Sequence, residues 1–138
     1  MAVSKPRSTK GRAVLCARLA QEKLAHDIRI LDLGLIESSP AEFFVIVTVD
    51  SLAQMRAVAD SIEVTLKQMG FGFPRTDAKG ESTWMILDYF DVVVHIMLGE
   101  ARDFYKLERL WGDAPAMTLT DSGATTKAVA ISKRTAEL

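Results

Sequence analysis

Apolar positions along the chain fall into short blocks with two different periods. Between Gly11 and Ala25, Val14, Leu15, Leu19 and Leu24 make a broad stripe at helical spacing, which predicts a first helix. Ile28 to Ile36 reads as a strand, closed by the polar run Glu37-Ser38-Ser39-Pro40. Pro40 has no backbone N–H for a central ladder, so that run is a loop. Phe43 to Val49 is apolar on both alternating sides, the pattern of a strand covered on both faces.

The next block has the sharpest period. Leu52, Met55, Ala59, Ile62, Leu66 and Met69 recur at helical spacing, opposite Arg56, Asp60, Glu63 and Lys67. Arg56–Asp60 and Glu63–Lys67 stand four residues apart and are placed to pair, at about 0.3 kcal/mol each. Ser51 and Gln54 give a capping-box pattern at its start, and Gly70 suits its end. Thr83–Asp88 and Val92–Leu98 then read as two strands separated only by Tyr89-Phe90-Asp91, hence a tight antiparallel hairpin. Gly99 opens a last helix to Trp111, with Phe104, Leu107 and Trp111 along its packed side. Arg102, Tyr105 and Glu108 lie on a neighbouring stripe suited to outside contacts.

These elements predict an α/β fold: one domain over residues 11–115, a mixed sheet with helices packed on it. Residues 1–10 read as a disordered basic tail, and 116–138, without a usable period, as a mostly disordered one.

The chain has 138 residues, 49% apolar and 25% charged, enough for a single core without disulfides or structural metals. The single cysteine, Cys16, sits in an apolar helical stretch, which fits a reducing, cytoplasmic setting. No apolar run reaches the length of a membrane span. Net charge is only −1, but its distribution is uneven. From Asp77 to Asp103 six acids (Asp77, Glu81, Asp88, Asp91, Glu100, Asp103) face only Lys79 and Arg102, while both ends are basic. An acidic surface repels phosphate and attracts basic protein, so little direct nucleic-acid contact is expected of this region.

Catalytic chemistry has few parts available. His26 and His95, the only histidines, lack companions at metal-ligand spacing, and no phosphate loop occurs. Cys16 has no electropositive, exposed setting to make it a nucleophile. Asp88 and Asp91 are the most tempting carboxylates for a magnesium ion, but residues three apart around a hairpin point to different faces. No metal site and no cofactor are expected.

One stretch is far more specific. Trp84-Met-Ile-Leu-Asp88-Tyr89-Phe-Asp91-Val-Val-Val-His95, followed by Arg102-Asp-Phe104-Tyr105-Lys-Leu107-Glu108-Arg-Leu110-Trp111, resembles the Iojap-related ribosomal silencing factors. That family's pattern is a Trp-led strand, an Asp-Tyr-Gly-Asp turn, Val-Val-His, and an Arg-x-Phe-Tyr-x-Leu-Glu-x-Leu-Trp helix. Weaker echoes at Asp27-Ile28, Leu31-Asp32-Leu33, Phe44-Val45-Ile46 and Gln54 to Asp60 extend the likeness over residues 11–115. The chain departs from the pattern at Phe90, where the turn usually has Gly, at Val49-Asp50 in place of a Gly-Thr pair, and at Glu42 in place of Asp. A left-handed backbone at Phe90 would cost about 1 kcal/mol.

The resemblance implies a fold similar to a reduced nucleotidyltransferase domain without catalytic acids. It implies a non-enzymatic factor that binds the large ribosomal subunit through its fourteenth ribosomal protein and sterically blocks subunit joining, with a homodimer as a possible assembly. Trp84, Asp88, Tyr89, Asp91, His95, Arg102, Tyr105 and Glu108 are the expected partner contacts. The competing reading is an atypical metal-dependent nucleotidyltransferase relative.

Overall fold

The computed structural model describes residues 4–78 and 82–128. Helix α1, Thr9–Glu22, begins two residues before the predicted stripe because the Ser8 hydroxyl accepts the backbone N–H of Gly11 at 2.9 Å. It also ends earlier. Leu24 turns left-handed at φ 67° and is 79% exposed, so it leaves the stripe.

Strand β1, His26–Asp32, stops short of the predicted Ile36; residues beyond it turn, and Leu33 N–H donates to the Glu42 carbonyl at 2.7 Å. Strand β2, Phe43–Val49, is buried along its whole length, as its two-sided apolar pattern predicts. Helix α2, Leu52–Gln68, is capped by the Ser51 hydroxyl, which accepts Gln54 N–H at 3.0 Å. Gln54 Oε1 in turn accepts Asp50 N–H at 2.7 Å. The predicted pairs along the helix do not form. Glu63 accepts from Thr76 Oγ1 instead, and Lys67 lies over the Phe73 ring.

Strands β3 (Arg75–Asp77), β4 (Trp84–Asp88) and β5 (Val92–Leu98) follow. The last predicted helix is broken in two: α3, Gly99–Tyr105, and α4, Leu107–Leu110, meet at Lys106, left-handed at φ 49°. Two further strands, β6 (Ala116–Leu119) and β7 (Thr125–Lys127), occupy residues expected to be disordered. Residues 129–138 lie outside the described residues.

The sheet order is β3-β4-β5-β2-β1-β6-β7. Only β2 and β5 run parallel, joined through α2, β3 and β4; every other neighbour is antiparallel. Alternation then sends Val45, Val47, Val94 and Ile96 to one face, against Val14, Leu15, Val58 and Ile62 of α1 and α2. Phe44, Ile46, Val93 and Met97 face the other side, where among the described residues the short α3 and α4, the segment after them and the turn after β1 contribute cover. This second face is the thinner half of the molecule, and Trp84 and Ile86 remain partly open on it.

The packing of β6 explains its order. Met117 and Leu119 pack against the α1 core, and Thr118 Oγ1 donates to the Ile28 carbonyl at 2.6 Å. Arg18 and Gln21 of α1 donate to the carbonyls of Gly123 and Thr120 at 2.7 and 2.9 Å, tying down the hairpin turn.

Candidate functional site

The β4–β5 hairpin aligns Trp84 with Met97, Ile86 with His95 and Asp88 with Val93. Its turn closes through Tyr89 N–H to the Val92 carbonyl at 2.9 Å, and Asp88 Oδ1 accepts Phe90 N–H at 2.7 Å. This geometry makes Phe90 left-handed, φ 78°, where Gly would carry no steric cost. Asp91 is already engaged. Its carboxylate meets Arg12 of α1 at 2.5 Å, and its carbonyl accepts the N–H groups of Glu42 and Phe43 at 2.9 and 3.1 Å.

On the thinner sheet face aromatic rings form a continuous series. Centroid separations are 5.9 Å for Trp111–Phe44, 4.6 Å for Phe44–His95, 5.7 Å for His95–Trp84, 4.7 Å for Trp84–Tyr105 and 5.0 Å for Tyr105–Phe104. Trp84 Nε1–H donates to His95 Nδ1 at 3.1 Å, which fixes the neutral imidazole with its proton on Nε2. That Nε2 is buried and has no partner among the described residues. Burial pushes the His95 pKa down to about 4. The series ends in the open: Tyr105 is 50% and Phe104 78% exposed, beside the exposed acids Glu100 and Asp103.

Arg102 and Glu108 differ from expectation. Arg102 is buried, donating from Nε to Glu108 Oε1 at 3.1 Å and from its guanidinium to Thr48 Oγ1 at 2.8 Å. The pair spans the break at Lys106 and fixes α4 relative to α3. Beyond the break Leu107 is buried, whereas Phe104, on α3 with its buried Ala101 and Arg102, is exposed. Glu108 Oε2 is buried without a partner among the described residues.

Tyr89 faces the opposite core, buried against α1 and α2, and its hydroxyl has no described partner. Desolvation raises its pKa, and the same cause pushes the fully buried Cys16 thiol up to about 12, leaving no thiolate for nucleophilic chemistry. His26 is separate again, with Nε2 at 2.9 Å from Asp50 Oδ1. Among the described residues no three His, Cys, Asp or Glu side chains gather to hold a metal.

Of the eight expected contacts, Trp84 and Tyr105 come together on one face and retain accessible surface, and Asp88 is partly open at the turn. Tyr89, His95 and Arg102 are buried, Glu108 is committed to Arg102, and Asp91 is held by Arg12. Of these, His95, Arg102 and Glu108 lie on the side of the aromatic series, whereas Tyr89 belongs to the α1–α2 core. Phe104, assigned to the core from its helical spacing, belongs to the open patch, because α3 buries Ala101 and Arg102 instead.

The description "Ribosomal silencing factor during starvation" belongs to a family model that matches residues 6–137. The Bacillus subtilis protein named ribosomal silencing factor RsfS is 35% identical over 105 residues, covering 76% of this chain and 88% of its own length. The maize chloroplastic protein Iojap is 36% identical over 107 residues, covering 78% of this chain and 46% of its own. A crystal structure of a Chromobacterium violaceum protein superposes with a TM-score of 0.70 at 27% identity, covering 91% of this chain and 94% of that one. The chain therefore belongs to the family of ribosomal silencing factors.

Proposed function

We propose that this protein represses translation by docking on the large ribosomal subunit, through its fourteenth ribosomal protein, and excluding the small subunit. The observation that carries this reading is the open Trp84–Tyr105–Phe104 cluster on the thinly covered sheet face, bordered by Glu100 and Asp103. Aromatic rings anchored on one side and exposed on the other, beside acids, suit a basic protein surface better than a phosphate backbone. Trp84, Tyr105, Phe104 and Asp88 are the contacts of this reading, and no catalysis is involved. The setting is the cytoplasm, where the large subunit is available; a second copy of this chain is the competing occupant of the face.

The test is co-sedimentation of the protein with purified large subunits. Tyr105→Ala is expected to weaken binding by about 2 kcal/mol, roughly thirtyfold, while the fold persists because the side chain is half exposed. Unchanged subunit binding by folded Tyr105→Ala and Phe104→Ala variants would remove this face from the interface. If dilution disrupts a dimer and those variants stay monomeric, the face serves self-association instead. Calorimetric binding of magnesium-nucleotide would favour the nucleotidyltransferase relative.

A further inference from the structure

On the far side of the sheet, contacts gather cations around two phenylalanines in the loop between α2 and β3. Lys5 Nζ lies 5.1 Å and the Arg12 guanidinium 4.8 Å from the Phe71 ring centroid, and Lys67 Nζ lies 4.6 Å from that of Phe73. Phe73 is 70% exposed and has Lys67 on its ring. Gly70 and Gly72, at φ 89° and 74°, set the loop that presents it.

Cations flank both rings: Lys5 and Lys67 are exposed beside them, and Arg12 is neutralised by Asp91. Of the nearby acids, Glu63 accepts from Thr76 Oγ1 and keeps its charge, Asp77 lies further along β3, and Asp88 stands across from Arg75. We infer that this surface binds unpaired RNA, a base stacking on Phe73 and the adjoining phosphates lying along Lys67 and Lys5. A ring with cations beside it is sequence-tolerant, since every base offers a π-face and every nucleotide a phosphate. The little nucleic-acid contact expected of the acidic middle of the chain concerns that region and not this one. That the RNA met in the cell is ribosomal rests on the docking reading; RNA binding as such does not.

Fluorescence anisotropy with a labelled oligouridylate of about 12 nucleotides, within the usual site size, tests it on the full chain. Phe73→Ala is expected to lower affinity about tenfold with an unchanged salt slope. Lys67→Ala should weaken binding less and reduce the slope of log affinity against log salt by about 0.7. Lys23→Ala, a cation at the other end of α1, should change nothing. The inference is overturned if the oligonucleotide does not bind at low salt, if a duplex of equal length binds as tightly, or if Lys23→Ala matches Lys67→Ala. A protein-binding role for Phe73 would appear as normal RNA affinity in Phe73→Ala with impaired subunit binding. Loss of RNA binding with intact binding to the isolated ribosomal protein separates this surface from the aromatic face.

Discussion

His95 shows how one side chain couples the candidate site to pH. Its folded pKa of about 4 lies below the ordinary 6.5 because the ring is desolvated. As pH falls, the unfolded chain takes up the proton first. Stability is undiminished above 6.5, declines between 6.5 and 4, and levels off below 4, by about 3 kcal/mol in all. His26 works in the opposite sense: Asp50 raises its pKa, so its contribution is present below 6.5 and lost as pH rises. Its side chain is 48% exposed, which keeps that effect small. In His95→Asn the amide oxygen can still accept from Trp84 Nε1 but does not titrate. Urea unfolding at about pH 7.5 and about pH 4.5 should show a clearly smaller stability loss for this variant than for the parent. Phe90 gives a second residue-scale test. At φ 78° and 87% exposed it bears the left-handed strain without compensating burial. Phe90→Gly relieves about 1–2 kcal/mol of strain and costs about 0.5–1 kcal/mol in chain entropy. The melting temperature should rise by about 2–4 °C.

At the scale of elements, legibility followed periodicity. β2 and α2 match their predicted limits because each carries an unbroken pattern of its own, alternation without a polar side in one and a 3.6-residue stripe in the other. The hairpin was legible from its three-residue link. The α3–α4 break was not, because it is enforced by the Arg102–Glu108 pair across it, a contact six residues apart that no local propensity encodes. β6 and β7 failed to register because four- and three-residue strands are too short to show a period. A signal was nonetheless present: Asp121-Ser122-Gly123 is turn chemistry, and Gly123 adopts φ 86°. This changes the expectation for the C-terminal segment. Deleting residues 116–138 strips Met117 and Leu119 from the α1 core and leaves the outer edge of β1 unpaired. The truncated chain should melt more than about 10 °C below the full one, or not fold, since several apolar side chains lose burial together. An unchanged melting curve would mean that β6 and β7 add nothing to the core.

At the scale of the whole molecule, the near-zero net charge conceals two unlike surfaces on opposite sides of one sheet. The acids at 100 and 103 border the aromatic face, whereas Lys5 and Lys67 flank the Phe71–Phe73 loop. The sequence alone made the acidic segment visible but not which aromatic rings it borders, because Trp84 and Tyr105 are 21 residues apart and meet only through the hairpin and α3. The proposed docking needs only the occupation of space. Inhibition of subunit joining should therefore saturate at about one bound copy per large subunit, and it should proceed without nucleotide. Ribosomes already joined should resist, since the small subunit would cover the docking face. Charge complementarity at the rim further implies that rising salt slows association more than it speeds release. Light scattering of separated subunits, mixed after incubation with increasing amounts of the protein, measures both stoichiometry and nucleotide dependence. Inhibition at far below one copy per subunit, or only with nucleotide present, would mean that the protein turns over and that steric exclusion is not its mechanism.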